Sequence, residues 1–278
     1  MRLISRLTDP RHYQVAVLTT LLGIGVVVLD FGIRWQNAAA IMFTAQAVQL
    51  AGTRLLGLPR FDPMSALITS LSLTLLLRTE LLVLAIAAAT IAIGSKFLLR
   101  VKGKHIFNPA NVALVTLMLC TDHAWVSSGQ WGSAAIGAFG LACLGFLVLT
   151  RAKRAETTIA FLIFYGALLF GRAWWLGDPM SIPVHQLQNG ALLIFAFFMI
   201  SDPKTTPNAP LGRLVFAAIV AIAAFTIQFI YYQPNGPILA LILSAPFVPV
   251  IDAFLHGSHY RWERPDARSS AHPEGVQT

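Results

Sequence analysis

The sequence predicts an all-α integral membrane protein with about ten transmembrane helices in two inverted repeats of five helices. Three observations support this fold class. Hydrophobic residues make up 56% of the 278 residues and charged residues only 12%. Apolar runs repeatedly approach the roughly 20 residues that cross a bilayer core. Short or proline-interrupted apolar segments also occur at equivalent positions in the two halves, which is typical of inverted repeats.

Apolar stretches between charged loops define the predicted spans. They are approximately 14–33, 37–56, 63–77, 81–99, 109–120, 132–149, 158–176, 187–200, 211–231 and 237–255. Lys and Arg test this assignment, because they collect in cytoplasmic loops. With both termini in the cytoplasm, only Arg34, Arg78 and Arg172 of the 20 basic residues fall on the outer side. The basic residues therefore favour ten spans.

The chain is short enough to form one membrane domain. We expect a single polytopic domain over 1–257, with repeat one at about 1–125 and repeat two at about 126–257, followed by a disordered cytoplasmic tail over 258–278. The net charge of +8 reflects this topology and contact with anionic lipid, since the basic residues are dispersed over many loops. The lipid bilayer is the expected partner, and nucleic acid is not.

The two predicted repeats share their irregularities. The third span of each is short, and the fifth begins with an amide and a proline, Asn108-Pro109 in one and Asn235-Gly236-Pro237 in the other. Because five is odd, these equivalent starts lie on opposite membrane faces. Helix N-termini favour anions or oxygen-rich ligands, so a central pathway is expected where they meet. The alternative is that proline at the first helical position simply starts a helix well.

Few charged residues lie inside the predicted spans. Asp30 and Asp252 are candidate intramembrane acids, although both lie near an interface where an acid can reach water, and Lys96 can extend its ammonium to the interface. Other polar residues are more central. Interhelical hydrogen bonding is the expected role of Gln46, Gln49, Asn111 and Gln228.

Motifs of catalytic and metal sites are missing from the sequence. Cys120 and Cys143 are isolated, and His256 with His259 is expected to be a solvated interfacial pair rather than a metal site. Nucleophile-elbow, P-loop and zinc-hydrolase patterns do not occur. We therefore predict no catalytic and no metal-binding residues; if the chain takes part in an enzyme, its role is non-catalytic or accessory.

Two polar segments carry a family resemblance. Lys104-His105-Ile106-Phe107-Asn108-Pro109-Ala110-Asn111 and Ser201-Asp202-Pro203-Lys204-Thr205-Thr206-Pro207 resemble motifs of the family that contains the D-type subunit of the Rnf complex and the B-type subunit of the sodium-pumping NADH:quinone oxidoreductase. The sequence is most similar to the short branch with the UnbU-type proteins. The resemblance implies a two-repeat fold akin to urea and ammonium channels, in a bacterial inner-membrane complex that couples electron transfer to sodium or proton movement.

The resemblance also bears on flavin. Longer members attach flavin mononucleotide through phosphate to a threonine in a Ser/Thr-Gly-Ala-Thr motif, and no Gly-Ala-Thr occurs in this chain. Covalent flavin is therefore not expected, and non-covalent flavin stays open. Trp125 and Trp131 could stack on an isoalloxazine or quinone ring, but interfacial anchoring is their expected role.

Candidate pathway or gate residues come from these motifs and the half-helix starts. They are His105, Asn108, Pro109, Asn111, Asp202, Lys204, Thr205, Thr206 and Asn235. Asp202 has two open interpretations, a cap on neighbouring N–H groups in a rigid turn or part of a cytoplasmic gate or docking surface.

The leading functional hypothesis is a membrane subunit of an Rnf-like electron-transport and ion-translocating complex, which provides a cation or proton pathway while redox centres reside mainly in partner subunits. The alternative hypothesis is a stand-alone channel or transporter for a small solute or specialised metabolite with the same inverted-repeat fold.

Overall fold

A computed structural model describes residues 10–101, 104–127 and 155–257, together with Gly140. Within these ranges the chain is mostly helical. The helices are α1 (Pro10–Val27), α2 (Trp35–Leu55), α3 (Pro63–Leu76), α4 (Leu82–Leu98), α5 (Pro109–Cys120), α6 (Ala155–Leu176), α7 (Ser181–Leu187), α8 (Gly190–Ile194), the π-helix Phe195–Met199, α9 (Pro210–Phe229), α10 (Gly236–Ser244) and α11 (Phe247–Phe254). The predicted span 132–149, apart from Gly140, and the predicted tail 258–278 lie outside the described residues.

The helical membrane class is confirmed in its coarse form. Among the described helices, α6 and α9 are long and apolar enough to cross a membrane, by length and composition. The total reaches four if each of two bent pairs is one span: α7 with 190–199, bent by 52°, and α10 with α11, bent by 54°. The ten-span count and the inverted arrangement stay predictions.

Most predicted spans coincide with helices. Two differ from the prediction for local reasons: one is shorter than predicted, and one is divided. Helix α1 ends at Val27 instead of near 33, because the chain turns through Asp30 and Gly32, whose φ angles are 44° and 61°. The tenth span divides into α10 and α11 around Ala245 and Pro246, where proline lacks the N–H that would continue the helical hydrogen bonds.

Short strands appear where the all-helical prediction has none. Strand β1 (Leu77–Thr79) extends α3 and pairs antiparallel with β4 (Ala124–Val126), which follows α5. Strand β2 (Arg100–Val101) pairs with β3 (Lys104–His105) in a hairpin that leads into α5. The first pairing connects the ends of two short helices, and the second positions His105 beside the start of α5.

The two halves of the chain pack through corresponding contacts. In the first half α2 packs on α4, and α4 packs on α5; in the second, α6 packs on α9, and α9 packs on α10. Helices α5 and α10 then contact each other and join the halves. The short segments 70–79 and 190–201 are almost entirely buried, so they form the inside of the bundle and the longer helices surround them.

Candidate functional site

The N-termini of the short helices converge on two cavities at different ends of this inner layer. The first, the lysine cavity, has a volume of about 80 Å³. Its walls are Arg11, Gln14, Ser65, Ile68, Thr69, Ser72, Lys96, His105, Asn108, Pro109, Ala110, Phe197, Phe198, Ser201, Asp202, Pro203 and Lys204. Helices α3 and α5 both begin here. Asp62 caps α3 by accepting from the Ser65 N–H at 3.2 Å, and Asn108 caps α5 by accepting from the Asn111 N–H at 3.2 Å.

Lys96 is a buried cation in the wall of the lysine cavity. Its side chain was expected to extend to the interface, but the residue is 5% exposed. The ammonium donates hydrogen bonds to Gln49 Oε1 at 2.9 Å and to Ser65 Oγ at 2.8 Å. These two polar partners hold it inside the bundle, because a buried charge needs hydrogen bonds to replace water. The expected interhelical role of Gln49 is confirmed by this bond.

Asp202 fulfils the capping interpretation and also borders the lysine cavity. Its Oδ1 accepts from the Lys204 N–H at 2.9 Å, and its carbonyl oxygen accepts from the N–H groups of Thr205 and Thr206, each at 3.1 Å. Burial raises the pKa of the Asp202 carboxyl, and the Lys204 N–H and the charges of the nearby lysines oppose that rise. The turn is therefore rigid, and its acid faces a protein interior.

His105 enters the lysine cavity from the β2–β3 hairpin. Burial is the largest cause that lowers its pKa to about 3, and the positive charges of Lys204, Arg100 and Lys96 lower it further. Its Nδ1 is buried and is without a hydrogen-bond partner among the described residues. At neutral pH the ring is thus uncharged, and it experiences a net positive environment.

Behind His105, a charged network joins the two halves. Lys104 Nζ forms an ion pair with Asp252 Oδ2 at 3.2 Å and donates to Asn208 Oδ1 at 3.2 Å. The Asp252 carboxylate also accepts from the Asn208 backbone N–H at 2.7 Å and from its side-chain amide at 3.0 Å. Asp252 therefore holds α11 against the β2–β3 hairpin. The other candidate acid, Asp30, lies exposed in the turn after α1.

The second cavity, the amide cavity, has a volume of about 400 Å³. Its walls are Trp125, Val126, Ser127, Tyr165, Gln186, Asn189, Ala191, Leu192, Phe195, Gln228, Pro234, Asn235, Pro237 and Ile238, and no charged side chain is among these described residues. Helices α8 and α10 both begin here. Asn189 Oδ1 accepts from the N–H groups of Ala191 and Leu192 at 2.9 and 3.2 Å.

Two further contacts hold the amide cavity in shape. Tyr165 donates its hydroxyl to Gln228 Oε1 at 2.6 Å, which confirms the interhelical role expected of Gln228. Asn235 Nδ2 lies 3.4 Å from the Met118 sulfur, so the start of α10 faces the end of α5. Since α5 begins at the lysine cavity, these two short helices lie side by side with opposite directions.

The π-helix lies between the two cavities. Phe195 lines the amide cavity, while Phe197 and Phe198 line the lysine cavity. All five π-helical residues are buried. The extra residue of the π turn leaves a carbonyl available outside the helix, and the Thr158 hydroxyl donates to the carbonyl oxygen of Ala196.

Most predicted site residues are brought together, although their roles stay predictions. His105, Asn108, Pro109, Asp202 and Lys204 line the lysine cavity, and Asn235 lines the amide cavity. Thr205 and Thr206 lie buried just behind the Asp202 turn. Asn111 is fully buried one helical turn beyond Asn108, and neither atom of its amide has a partner among the described residues, so its expected interhelical hydrogen bond is not present.

Sequence reasoning missed the hydroxyl wall of the lysine cavity and the role of Lys96. Ser65, Thr69 and Ser72 follow the i, i+4, i+7 spacing of one helical face, which was a readable signal. Gln186 and Asn189 of the amide cavity were missed as well. Their signal is weaker, because Gln186 lies in the short helix α7, just before the predicted span 187–200, and Asn189 lies in the turn between α7 and α8.

Comparison with known proteins connects the second half of the chain to one family. Residues 126–261 match the NQR2, RnfD, RnfE family. The chain is also similar to proteins named as the D-type subunit of an ion-translocating oxidoreductase complex. It is 36% identical over 110 residues to that of Mannheimia succiniciproducens, 33% over 127 residues to that of Klebsiella pneumoniae and 31% over 109 residues to that of Haemophilus influenzae.

These alignments are partial. They cover 39%, 45% and 39% of this chain and only 30%, 35% and 30% of the respective relatives. The motif at 201–207 lies inside the matched family region, and the motif at 104–111 lies outside it. The predicted resemblance is confirmed, and its confirmed part includes the Asp202 turn.

Proposed function

We propose, from the relationship of this chain to the NQR2, RnfD, RnfE family, that it is a membrane subunit of an ion-translocating electron-transport complex. The observation that carries the proposal is the family match over residues 126–261, which contains the Asp202 turn. In this function the chain provides a transmembrane pathway for a proton or another cation. Redox centres reside mainly in partner subunits of the complex.

The fold we propose for this function has ten spans in two inverted repeats, with both termini on the cytoplasmic side of a bacterial inner membrane. Two features support it. The contact pairs α2–α4 and α4–α5 have counterparts in α6–α9 and α9–α10. In addition, α3 and α5 begin at the lysine cavity, whereas α8 and α10 begin at the amide cavity. Paired short helices that start from opposite ends are expected of such repeats.

The proposed pathway runs through both cavities and past the π-helix. The amide cavity offers carboxamide oxygens that can replace the hydration of an ion, and the buried layer from Phe195 to Phe198 forms a hydrophobic constriction. On the other side the ion meets Asn108, Asp202 and His105. Lys204, Thr205 and Thr206 support the route by holding the Asp202 turn, and Asn111 and Asn235 lie at the starts of the half-helices α5 and α10.

We propose no covalent flavin for this chain, because the threonine attachment motif is missing from the sequence. The amide cavity has the chemistry for a non-covalent planar ring, with Trp125 and Tyr165 near four carboxamides. An absorbance spectrum of the purified protein, before and after acid precipitation, tests both statements. Flavin that stays with the precipitated chain would contradict the first.

A specific observation favours the alternative, a channel or transporter for a small solute. No charged side chain lines the described wall of the amide cavity, and Lys96 stands in the wall of the lysine cavity. Basic side chains and half-helix N-termini raise the electrostatic energy of a cation in a pore. A neutral solute meets no such barrier.

Reconstitution into proteoliposomes separates these functions. We compare proton, sodium and uncharged-solute flux for the wild type, Asn108→Ala and Asp202→Ala, with Asp178→Ala as a control, since Asp178 pairs with Arg172 away from both cavities. We expect proton or sodium flux that falls about tenfold in the first two variants and is unchanged in the control, as for the loss of about 1.4 kcal/mol of stabilisation along the route.

Two results would contradict the proposal. Flux of an uncharged solute without ion flux would favour the alternative function. Unchanged ion flux in both Asn108→Ala and Asp202→Ala would remove the site assignment while keeping the ion-conducting function.

A further inference from the structure

We propose that the lysine cavity is a binding site for a small oxyanion of the phosphate or sulfate type, with Lys96 as its principal ligand. The proposal goes beyond the proposed function, since it names an occupant of one end of the pathway. That oxyanion is either free in solution or the phosphate of a lipid headgroup.

The hydrogen-bonding capacity of Lys96 is incompletely used. An ammonium has three N–H donors. Two are taken by Gln49 Oε1 and Ser65 Oγ, both neutral acceptors, and Lys96 has no other hydrogen-bond acceptor among the described residues. The residue is 5% exposed and borders the cavity, so an anion there gains a desolvated positive charge and a hydrogen bond.

The start of α5 supplies a second donor in the same wall. Pro109 has no N–H, and the Asn111 N–H is capped by Asn108, so Ala110 is left as the residue whose backbone N–H lacks an intrahelical acceptor. Ala110 and Ser65 both line the cavity, which places the first turns of α5 and α3 at the same space. Helix N-termini add partial positive charge to a site that Lys96 already makes positive.

The charge balance of the walls is positive. Arg11 is neutralised by Asp62, whose two oxygens lie 3.0 and 3.1 Å from its Nη1. Lys96 and Lys204 then face one carboxylate, that of Asp202. The low pKa of His105 has the charges of Lys204, Arg100 and Lys96 among its causes, in agreement with an excess of positive charge at these walls.

The cavity has the volume of one phosphate or sulfate group. A single water needs roughly 10–15 Å³ of such space, so the volume of about 80 Å³ holds several waters or one oxyanion with a few atoms. The Ser72 hydroxyl lies in the same wall and can donate to one of its oxygens, whereas the Thr69 hydroxyl already donates to the Ser65 carbonyl oxygen at 3.0 Å.

The test measures anion binding without any flux. The full chain is placed in phosphatidylcholine nanodiscs, and inorganic phosphate and sulfate are titrated at constant ionic strength against gluconate, which is too large for the cavity. Binding is followed by calorimetry and by the shift in Tm. A parallel titration replaces part of the phosphatidylcholine with anionic phosphatidylglycerol.

We expect phosphate or sulfate to bind and raise Tm, and Lys96→Met to weaken binding at least about tenfold, as expected for the loss of a charge-assisted hydrogen bond. Lys204→Met should weaken binding to a smaller extent. If Lys96→Met does not fold, the binding measured for Lys204→Met tests the proposal instead. Arg34→Gln is the control, because Arg34 pairs with exposed Glu80 and its substitution removes the same charge elsewhere.

If phosphatidylglycerol raises Tm, free phosphate and sulfate do not, and the rise is lost in the Lys96 or Lys204 variant, the headgroup phosphate is the occupant. Absence of binding in both lipid mixtures, or equal binding in wild type and both lysine variants, would overturn the proposal. Neither result affects the flux test above, so the failure of the anion site and the failure of the proposed function can be told apart.

Discussion

The two cavities have the same helical framework and opposite chemistry. Each lies where two short helices begin, yet lysines, an acid and hydroxyls line one, while carboxamides and aromatic rings line the other. The ends are also held together differently. Near the lysine cavity, the network of Lys104, Asp252 and Asn208 joins the two halves through charged contacts. Near the amide cavity, α10 packs closely on α9 at Gly236. The common framework thus determines where the cavities form, and the side chains determine what each can hold.

The largest expected effect comes from removing the carboxylate of the charged network near the lysine cavity. Asp252→Ala leaves Lys104 and the Asn208 donors without their carboxylate, which lies in a partly buried site. We expect a loss of about 3 kcal/mol in the free energy of unfolding, measured by denaturant titration in detergent micelles. Glu80→Ala is the matched control, since its pair with Arg34 is exposed and should contribute less than about 1 kcal/mol. Equal losses in the two variants would contradict a special role for the network.

The next largest effect concerns the close packing of α10 on α9 near the amide cavity. A Cβ at Gly236 would lie 2.6 Å from the Ala224 carbonyl oxygen, so Gly236→Ala must displace α10 from α9. We expect a destabilisation of about 2 kcal/mol, measured by the same denaturant titration. Gly171→Ala provides the comparison, because a Cβ there meets no atom within 4 Å and alanine favours a helix by up to about 1 kcal/mol. If Gly236→Ala were as stable as Gly171→Ala, the close approach would not matter to the fold.

The smallest expected effect is a pH dependence of stability that comes from His105 in the lysine cavity. Since the pKa of His105 is lowered to about 3, from 6.5 in the unfolded chain, the unfolded chain binds more protons between these values, and stability falls as the pH falls through this window. His105→Asn should reduce the loss of unfolding free energy between pH 6.5 and 5.5 by up to about 1 kcal/mol. His185→Asn, which removes an exposed imidazole near the amide cavity, is the control against which the effect is compared. A His105 variant with the wild-type pH dependence would show that the ring is not held neutral.

The sequence predicted the positions of the helices well, because apolar runs and capping residues are local signals. Asn108-Pro109 begins α5 at the predicted residue, and the amide and proline around Gly236 begin α10. The break at Ala245 and Pro246 was missed, since a proline inside an apolar run can also be tolerated in a continuous membrane helix. Strand pairing between β1 and β4 was missed because it joins distant residues that carry no alternation over such short lengths.

The site was predicted less completely, for a physical reason that Lys96 illustrates. A lysine near the end of an apolar run either reaches the interface or turns inward, and the choice depends on acceptors from other helices. Here Gln49 of α2 and Ser65 of α3 provide those acceptors. Motif residues such as Asp202 could be found because their own segment determines the turn. The cavity walls could not, since they combine faces of helices that are far apart in sequence.

The π-helix Phe195–Met199 has a consequence for how the two ends are aligned. A π turn holds one residue more than an α turn, and one residue corresponds to about 100° of rotation around a helix axis. Deleting a single residue within this segment would therefore convert the π turn into an ordinary α turn, so that Ser201 and Asp202 keep their direction while the Ala196 carbonyl oxygen returns to the helical hydrogen bonds and Thr158 loses its acceptor. The wider turn thus spares the Asp202 turn the rotation that one added residue would impose on a continuous α-helix.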